Sequence, residues 1–385
     1  MNEINTVIIG SLHHNTLGVI RSLGEAGIPQ NNISIMLVGE DHSPRNLIST
    51  SKYVNPERII YVNSYDEIIP CLQNNNEFYE KRQRVVICCS DGASGAVIAG
   101  KELLKDKFKT PETYLDVADL MVKSYQGIIA KESGLTVPYS KEFITNSPIA
   151  WNIFPCILKP YKCATGAGKS DIHVLYSRED LDVIIKQIKS ERIQIQQYVE
   201  KDIEFQLIGC SLDAGKKLII PGFTKIIRQP KTTNTGYLLY SPIKELSYDS
   251  DSVKRFVQRI GYSGLFSIEF VRGKDGIDYF LEINLRNDGN AYCVNSAGVN
   301  LPYIWSYYQV FRELPPKPTS ISKAVYFIPD FNDLRLAIHE IGLLRWIKQF
   351  REAQSHSIYN KKDMRPFWFE FRRQCKRVLR KETKL

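Results

Sequence analysis

Two glutamates do most to constrain this chain. Glu269 lies in Phe266-Ser267-Ile268-Glu269-Phe270 and Glu282 in Phe280-Leu281-Glu282-Ile283-Asn284, and both runs have the two-residue alternation of a half-buried strand. Gly273-Lys274-Asp275-Gly276 between them has hairpin-turn composition. The spacing predicts two antiparallel strands with Glu269 and Glu282 on one face. Asn284, two residues past Glu282, joins them there. Two carboxylates and an amide oxygen on one sheet face suit a hard divalent cation such as Mg²⁺ beside nucleotide phosphates. The other reading is a solvated acidic strand pair. The apolar neighbours Leu265, Ile268, Phe270, Phe280, Leu281 and Ile283 weigh against it.

The 385 residues suggest two to three domains, and the 43% hydrophobic and 24% charged fractions are those of an ordinary globular protein. No run reaches the length of a spanning helix, and Met1 to Asn5 lacks the pattern of a signal peptide. Eight cysteines without Cys-x-x-Cys read as buried thiols in a reducing cytoplasm, and the six scattered histidines show no metal spacing. His13 and His14 read as loop residues. Residues 341–385 hold thirteen Lys and Arg against four Asp and Glu, a balance of +9 that equals the whole formal charge of the chain. The other 340 residues are neutral overall, so charge gives no support to nucleic-acid binding by the main body.

The first third alternates strands (6–10, 33–38, 84–90) with helices (17–26, 94–104), the βαβ pattern of a parallel sheet. Its Gly10 loop is not Gly-x-Gly-x-x-Gly, because Leu12 and Asn15 occupy the later glycine positions, so it reads as a scaffold. Residues 116–133 read as one amphipathic helix closed by Gly134. A small unit follows, with strands at 157–160, 172–175 and 193–199 and a helix at 179–189. Residues 201–310 are mostly strands, with helices at 251–260 and 300–310, and Pro315, Pro316 and Pro318 mark a linker. The boundaries read as 1–110, 111–200, 201–312 and 313–385.

Lys159 precedes Cys163-Ala164-Thr165-Gly166-Ala167-Gly168-Lys169-Ser170. This is not a P-loop, since the required first glycine falls on Cys163 and residues 171–176 alternate like a strand. It reads as a flap whose backbone N–H groups, freed by Gly166 and Gly168, close over phosphates anchored by Lys159. A plain polar hairpin loop is the alternative. Gln197, Tyr198 and Val199 leave the small unit as a hinge that can read an adenine edge, with Glu204 placed to accept ribose hydroxyls. Lys225, Arg228 and Lys231 form a basic run in an expected loop after Pro221-Gly222. They read either as a carboxylate-binding acceptor pocket or as a solvated turn.

In this order the residues resemble the ATP-grasp superfamily, which includes D-alanine–D-alanine ligase, D-aspartate ligase, biotin carboxylase and the carbamoyl-phosphate synthetase large subunit. The resemblance covers residues 1 to about 310. It implies a mixed α/β and α+β fold: a Rossmann-like pre-ATP-grasp domain, a two-subdomain ATP-grasp unit, and here a basic helical C-terminal tail. It implies two Mg²⁺ ions, replaceable by Mn²⁺, on Glu269, Glu282 and Asn284. ATP would be held by Lys123, Lys159, Gly166, Gly168, Gln197, Tyr198, Val199 and Glu204. Gln197 departs from the glutamate that many members carry, though an amide oxygen can accept the same adenine hydrogen bond. Arg286 resembles the arginine beside the transferred phosphoryl group. The catalytic set expected is Arg286, Lys159, Lys225 and Arg228, with Asn287, Asp288, Asn290 and Asn295 near the amine.

The activity so implied is an ATP-dependent carboxylate–amine ligase working through an acyl phosphate on small-molecule acids and amines, as in cell-envelope or polysaccharide precursor synthesis. The alternatives are a carbamoyl-phosphate synthetase-like or carboxylase-like reaction, or a non-catalytic ATP-binding module. The expected setting is the cytoplasm, with no nucleic-acid partner, and nothing in the sequence bears on oligomeric state. The tail is read in two ways. A helix through Trp368, Phe371 and Cys375, ringed by Arg372, Arg373, Lys376, Arg377 and Arg380, suits peripheral contact with the inner face of an anionic membrane. It also suits a helix packed on the body with its basic face solvated.

Overall fold

A computed structural model describes residues 3–75, 83–160, 172–188, 190–229 and 235–382. The N-terminal unit is an all-parallel sheet of β1 (Thr6–Gly10), β2 (Ile33–Val38), β3 (Ile59–Val62), β4 (Arg84–Cys88) and β5 (Phe108–Lys109) in the order β3-β2-β1-β4-β5. Its helices are α1 (His14–Glu25), α2 (Ile68–Asn74), α3 (Asp91–Ala99) and α4 (Lys101–Leu104). Both faces of β1 and β4 are covered, which is why their sequences are unbroken apolar runs rather than alternating ones. The strand order reverses between β1 and β4. The crevice at such a reversal, outside the carboxyl ends of the strands, is where open α/β sheets bind ligands.

The expected single helix over 116–133 is instead two, α5 (Val117–Leu120) and α6 (Lys123–Glu132), with Val122 extended between them. The break has a reason. Gln126 donates to Leu120 O at 2.7 Å and to Ile283 O at 3.0 Å, and accepts from Ile283 N at 2.9 Å. A side chain thereby satisfies backbone groups of a strand edge, a pairing that amphipathic periodicity cannot reveal.

A four-stranded antiparallel sheet follows: β6 (Ser140–Ile144), β7 (Cys156–Pro160), β8 (His173–Leu175) and β9 (Arg192–Gln197), ordered β6-β9-β7-β8 and backed by α7 (Arg178–Ile184). Ser177 and Asp180 cap α7 reciprocally. Next come β10 (Lys201–Leu212), β11 (Lys217–Arg228), β12 (Tyr237–Pro242), α8 (Ser250–Ile260), β13 (Gly264–Gly273) and β14 (Asp278–Asn284). Helix α8 starts at Asp249, which accepts from Ser252 N, and stops at Gly261 with φ +64. It buries Val253, Phe256, Val257 and Ile260 against Ile268, Phe270 and Phe280 in one core cluster.

Helices α9 (Tyr292–Ser296) and α10 (Leu301–Phe311) return the chain to the N-terminal unit, where the Trp305 indole donates to Val86 O. Residues 313–385 do more than extend the chain. They form β15 (Val325–Ile328), α11 (Asp330–Glu340), α12 (Leu343–Glu352), β16 (Ser355–His356) and α13 (Arg365–Glu382). Strands β15 and β16 complete a seven-stranded sheet ordered β14-β13-β10-β11-β12-β15-β16. Asp363 reaches back to the first helix, accepting from Arg21 Nε at 3.0 Å, Ser51 Oγ at 2.8 Å and Lys52 N at 2.9 Å. The Arg21 and Asp363 side chains are both 0% exposed, so neither charge has water to fall back on.

Removing one partner of such a buried pair strands the other. Asp363→Ala is expected to cost about 3–5 kcal/mol of stability, read by urea unfolding of the full chain. A loss below about 1 kcal/mol would mean that the pair is solvated and that the C-terminal segment is not locked to α1.

Candidate active site

Glu269 stands directly opposite Glu282, and Ser267 opposite Asn284, across β13 and β14. The turn is where the sequence places it, with Gly276 at φ +79 and its N–H donated to Gly273 O. One detail departs from plain alternation. Phe270 opposes Phe280 while Glu269 opposes Glu282, so Leu281 is an extra residue in β14. This bulge changes the face that the strand presents. Phe280 goes into the core at 1% exposure, and Glu282, two residues on, faces the site. Without the bulge the two would share a face.

Both carboxylates are held by neighbours. Glu269, buried, accepts from Gln206 Nε2 at 3.0 Å and Asn284 Nδ2 at 3.2 Å. Gln206 sits opposite Glu269 on β10 and accepts from Asn290 Nδ2 at 2.9 Å. Lys123 forms an ion pair with Glu282. Lys123 and Gln126 lie three residues apart on α6, so one helical face both satisfies the edge of β14 and brings an ammonium to Glu282. Arg286 donates to Asp91 Oδ1 at 2.9 Å, Asn284 Oδ1 at 3.2 Å, Asn287 O at 3.3 Å and Asp288 Oδ2 at 3.4 Å. Asp91 opens α3 at the carboxyl end of β4. Arg286 therefore carries the metal-type strand into the crevice of the N-terminal sheet.

Burial pushes the Glu269 carboxyl up to about 8, and the nearby Glu282 and Asp288 charges add to the shift. Lys123 and the Gln206 hydrogen bond offset only part of it. A carboxylate pair this poorly compensated, with an amide beside it, fits a divalent cation bound through hard oxygens. Glu269, Glu282 and Asn284 are the residues that would hold it, with the Asn284 amide turned to present its oxygen. Among the described residues no cluster of three or more His, Cys, Asp or Glu forms another candidate.

Lys159, on β7, donates to Gln196 Oε1 at 2.9 Å. Gln197 ends β9 with its N–H donated to Tyr139 O, and Tyr198 N–H goes to Pro155 O. Tyr198 and Val199 then cross from the small sheet to the large one. Glu204, on β10, pairs with Lys201 at 2.9 Å. Gly166, Gly168 and the whole 163–169 flap, together with Lys231, lie outside the described residues.

The expected loop for Lys225 and Arg228 is corrected: both lie in β11, where Lys225 pairs with β10 and β12 and Arg228 with β12. Pro221-Gly222 sits inside this strand, and its turn-like composition misled the sequence reading. Lys225, Arg228 and Glu204 line one cavity of about 360 Å³. Arg228 is taken up inside the fold. It makes a bidentate pair with Asp333 at 2.9 and 2.6 Å, a bond to Gln349 at 3.0 Å, and a stack on Tyr237.

Sequence reasoning missed Gln206, Asp91 and the two histidines. His13 and His14 are not loop residues but the cap and first turn of α1, with His13 Nδ1 accepting from Asn15 N at 3.3 Å. That bond fixes the neutral tautomer with the proton on Nε2. Burial first, then Arg286, lowers the His13 pKa; burial and His13 lower that of His14. Asn15 donates to Cys89 O at 2.9 Å and Asn287 O at 2.8 Å, fastening α1 to the segment after β14. The adjacent His-His-Asn before an apolar helix is a weak capping signal.

The sign of the Glu269 shift gives a test. Its folded pKa is raised, so between about 4.5 and 8 the folded chain keeps a proton that the unfolded chain has lost. Metal-free stability at this residue therefore falls as pH rises through that window. Relative to Glu269→Gln, the wild-type melting temperature in chelator is expected to drop steadily from pH 5 to 8. Parallel profiles would show that Glu269 is not the strained carboxyl.

No family model and no curated protein matches the sequence. Solved structures do. The L-amino acid ligase from Bacillus licheniformis superposes with a TM-score of 0.59 at 15% identity, over 81% of this chain and 75% of that one. The N5-carboxyaminoimidazole synthetase from Staphylococcus aureus gives 0.61 at 14% identity, over 89% and 87%. Biotin carboxylase from Campylobacter jejuni, solved as a β,γ-ATP complex, gives 0.62 at 15% identity, over 84% and 75%.

Proposed function

Proceeding from the ATP-grasp fold that this chain has, we propose that it is an ATP-dependent carboxylate–amine ligase acting on small molecules in the cytoplasm. The observation that carries this reading is the face-to-face pair of buried Glu269 and half-buried Glu282, with Asn284 beside them and Lys123 and Arg286 at the edges. Such a group binds the metal-complexed triphosphate of ATP. Mg²⁺ bound there would neutralise phosphate charge during transfer.

Carboxylates do not react with amines in water, because their oxygens are poor leaving groups. Transfer of the γ-phosphoryl group to a carboxylate oxygen releases ADP and leaves an acyl phosphate. The amine then attacks the acyl carbon, phosphate departs with the C–O electron pair, and the amine loses a proton. Arg286 would stabilise the transferring phosphoryl group, and Lys123 would touch phosphate once Glu282 turns to metal. Lys159 would contact phosphate from β7. Tyr198 and Val199 would read adenine, and Glu204 with Lys225 would face the ribose side.

The acceptor site follows from the crevice. The Nε2–H of His13 is a donor suited to a substrate carboxylate. Asn287, Asp288 and Asn290, which follow β14, would face the amine; among the described residues Asn290 Oδ1 is buried with no hydrogen-bond partner.

Glu282→Gln is expected to lower turnover at least about a hundredfold while leaving the protein folded, because it removes charge from the metal clamp. ADP release across a panel of amino acids, hydroxy acids and amino sugars, paired with several amines, identifies the substrates. Wild-type ADP formation by Glu282→Gln would reject the β13–β14 assignment. Release stimulated by bicarbonate alone would replace amide synthesis with a carboxylase-type reaction.

A further inference from the structure

We infer that the C-terminal helices dock this protein on an anionic lipid bilayer. The inference is independent of the ligase reading. Helix α13 packs on the body through Phe367, which stacks on Phe331 at 5.3 Å, and through the buried Glu370. Beside this contact Arg365, Trp368, Phe371, Arg372 and Cys375 are all exposed, with the Phe371 ring 6.3 Å from Phe331 at the border of the packed face. Trp368 is 50% exposed and Phe371 42%, although the two rings touch edge to face at 5.9 Å.

Helix α12 repeats the pattern. Trp346 and Phe350 point inward and touch each other, while Leu343, Leu344 and Ile347 form an outer ridge. Leu344 is 83% exposed, more than any other large apolar side chain described. Arg345, Lys348 and Arg351 flank the ridge. Beside Trp368, a cavity of about 540 Å³ is lined by Arg45, Arg365 and Arg372 with Ser49 and Thr50. Among the described residues none of these three guanidiniums has a carboxylate partner within salt-bridge distance.

Charge selects the occupant. Residues 341–385 carry +9 from thirteen basic and four acidic residues, so a second copy would meet this face with like charge. A nucleic acid would satisfy the arginines but leave Leu343, Leu344 and Ile347 in water. A bilayer surface takes both: phosphate headgroups on the guanidiniums, the Trp368 ring at headgroup depth, and the aliphatic ridge at the acyl boundary. Among the described residues no helix is long and apolar enough to span, so the contact is peripheral.

The test is co-sedimentation of the full-length protein with phosphatidylcholine vesicles, with and without phosphatidylglycerol. Wild type is expected to bind only the anionic vesicles and to release in high salt. Leu344→Gln/Trp368→Gln and Arg365→Gln/Arg372→Gln should each weaken binding roughly tenfold or more. Because these side chains are exposed, the melting temperature should hold. Failure of wild type to bind anionic vesicles, or equal binding by either double variant, would overturn the proposal. So would binding of a polyuridine oligomer without vesicle binding, or a dimer in light scattering that Leu344→Gln/Trp368→Gln dissolves.

Discussion

Burial of Glu269 directly opposite a second carboxylate, Glu282, on β13 and β14 constrains the arrangement around them. Burial raises the cost of charging Glu269, and the facing Glu282 raises it further. Each neighbouring element answers that field. Helix α6 begins where its first residue, Lys123, meets Glu282. Strand β10 contributes Gln206 as a donor to Glu269, and Arg286 closes the end of the cluster. A carboxyl that keeps its proton for want of a counter-charge can exchange it for a cation.

The cluster sits where three units meet because short polar contacts bolt them there. Asn15 and Asn287 exchange hydrogen bonds, and Asn287 N–H also reaches Cys88 O at 3.0 Å. Ser94, on α3, donates to Leu285 O. The residues immediately after the metal-type strand are thus tied to the carboxyl ends of β1 and β4, at the reversal of strand order. A mobile loop could not hold Arg286 against Asp91 from across the molecule.

The C-terminal segment joins this framework through buried charge as well. Asp330, fully buried at φ +43, accepts from His356, Ser357, Ile358 and Tyr359, and Arg228 closes on Asp333 one helical turn later. These pairs are oriented inward and leave the surplus of lysine and arginine outside. Among the described tail residues Arg345, Lys348, Arg351, Arg365, Arg372 and Lys376 are all exposed.

What the residues determined alone was local. Alternation around Glu269 and Glu282, with glycines between, dictates a hairpin. Apolar runs at 6–10 and 33–38 dictate buried parallel strands, and Asp249 with Gly261 bounds α8. Each follows from periodicity or cap chemistry within a dozen residues or so. What only the tertiary structure decided depends on partners distant in sequence. Gln126 breaks the 116–133 helix because it serves Ile283, 157 positions away. Arg228 is drawn into an ion pair because Asp333 waits 105 positions on. The bulge at Leu281 exists because Phe280 must enter the core while Glu282 must not. A strand's own sequence shows its period, but burial of a charge, and the residue that satisfies it, are set by whichever element folds against it.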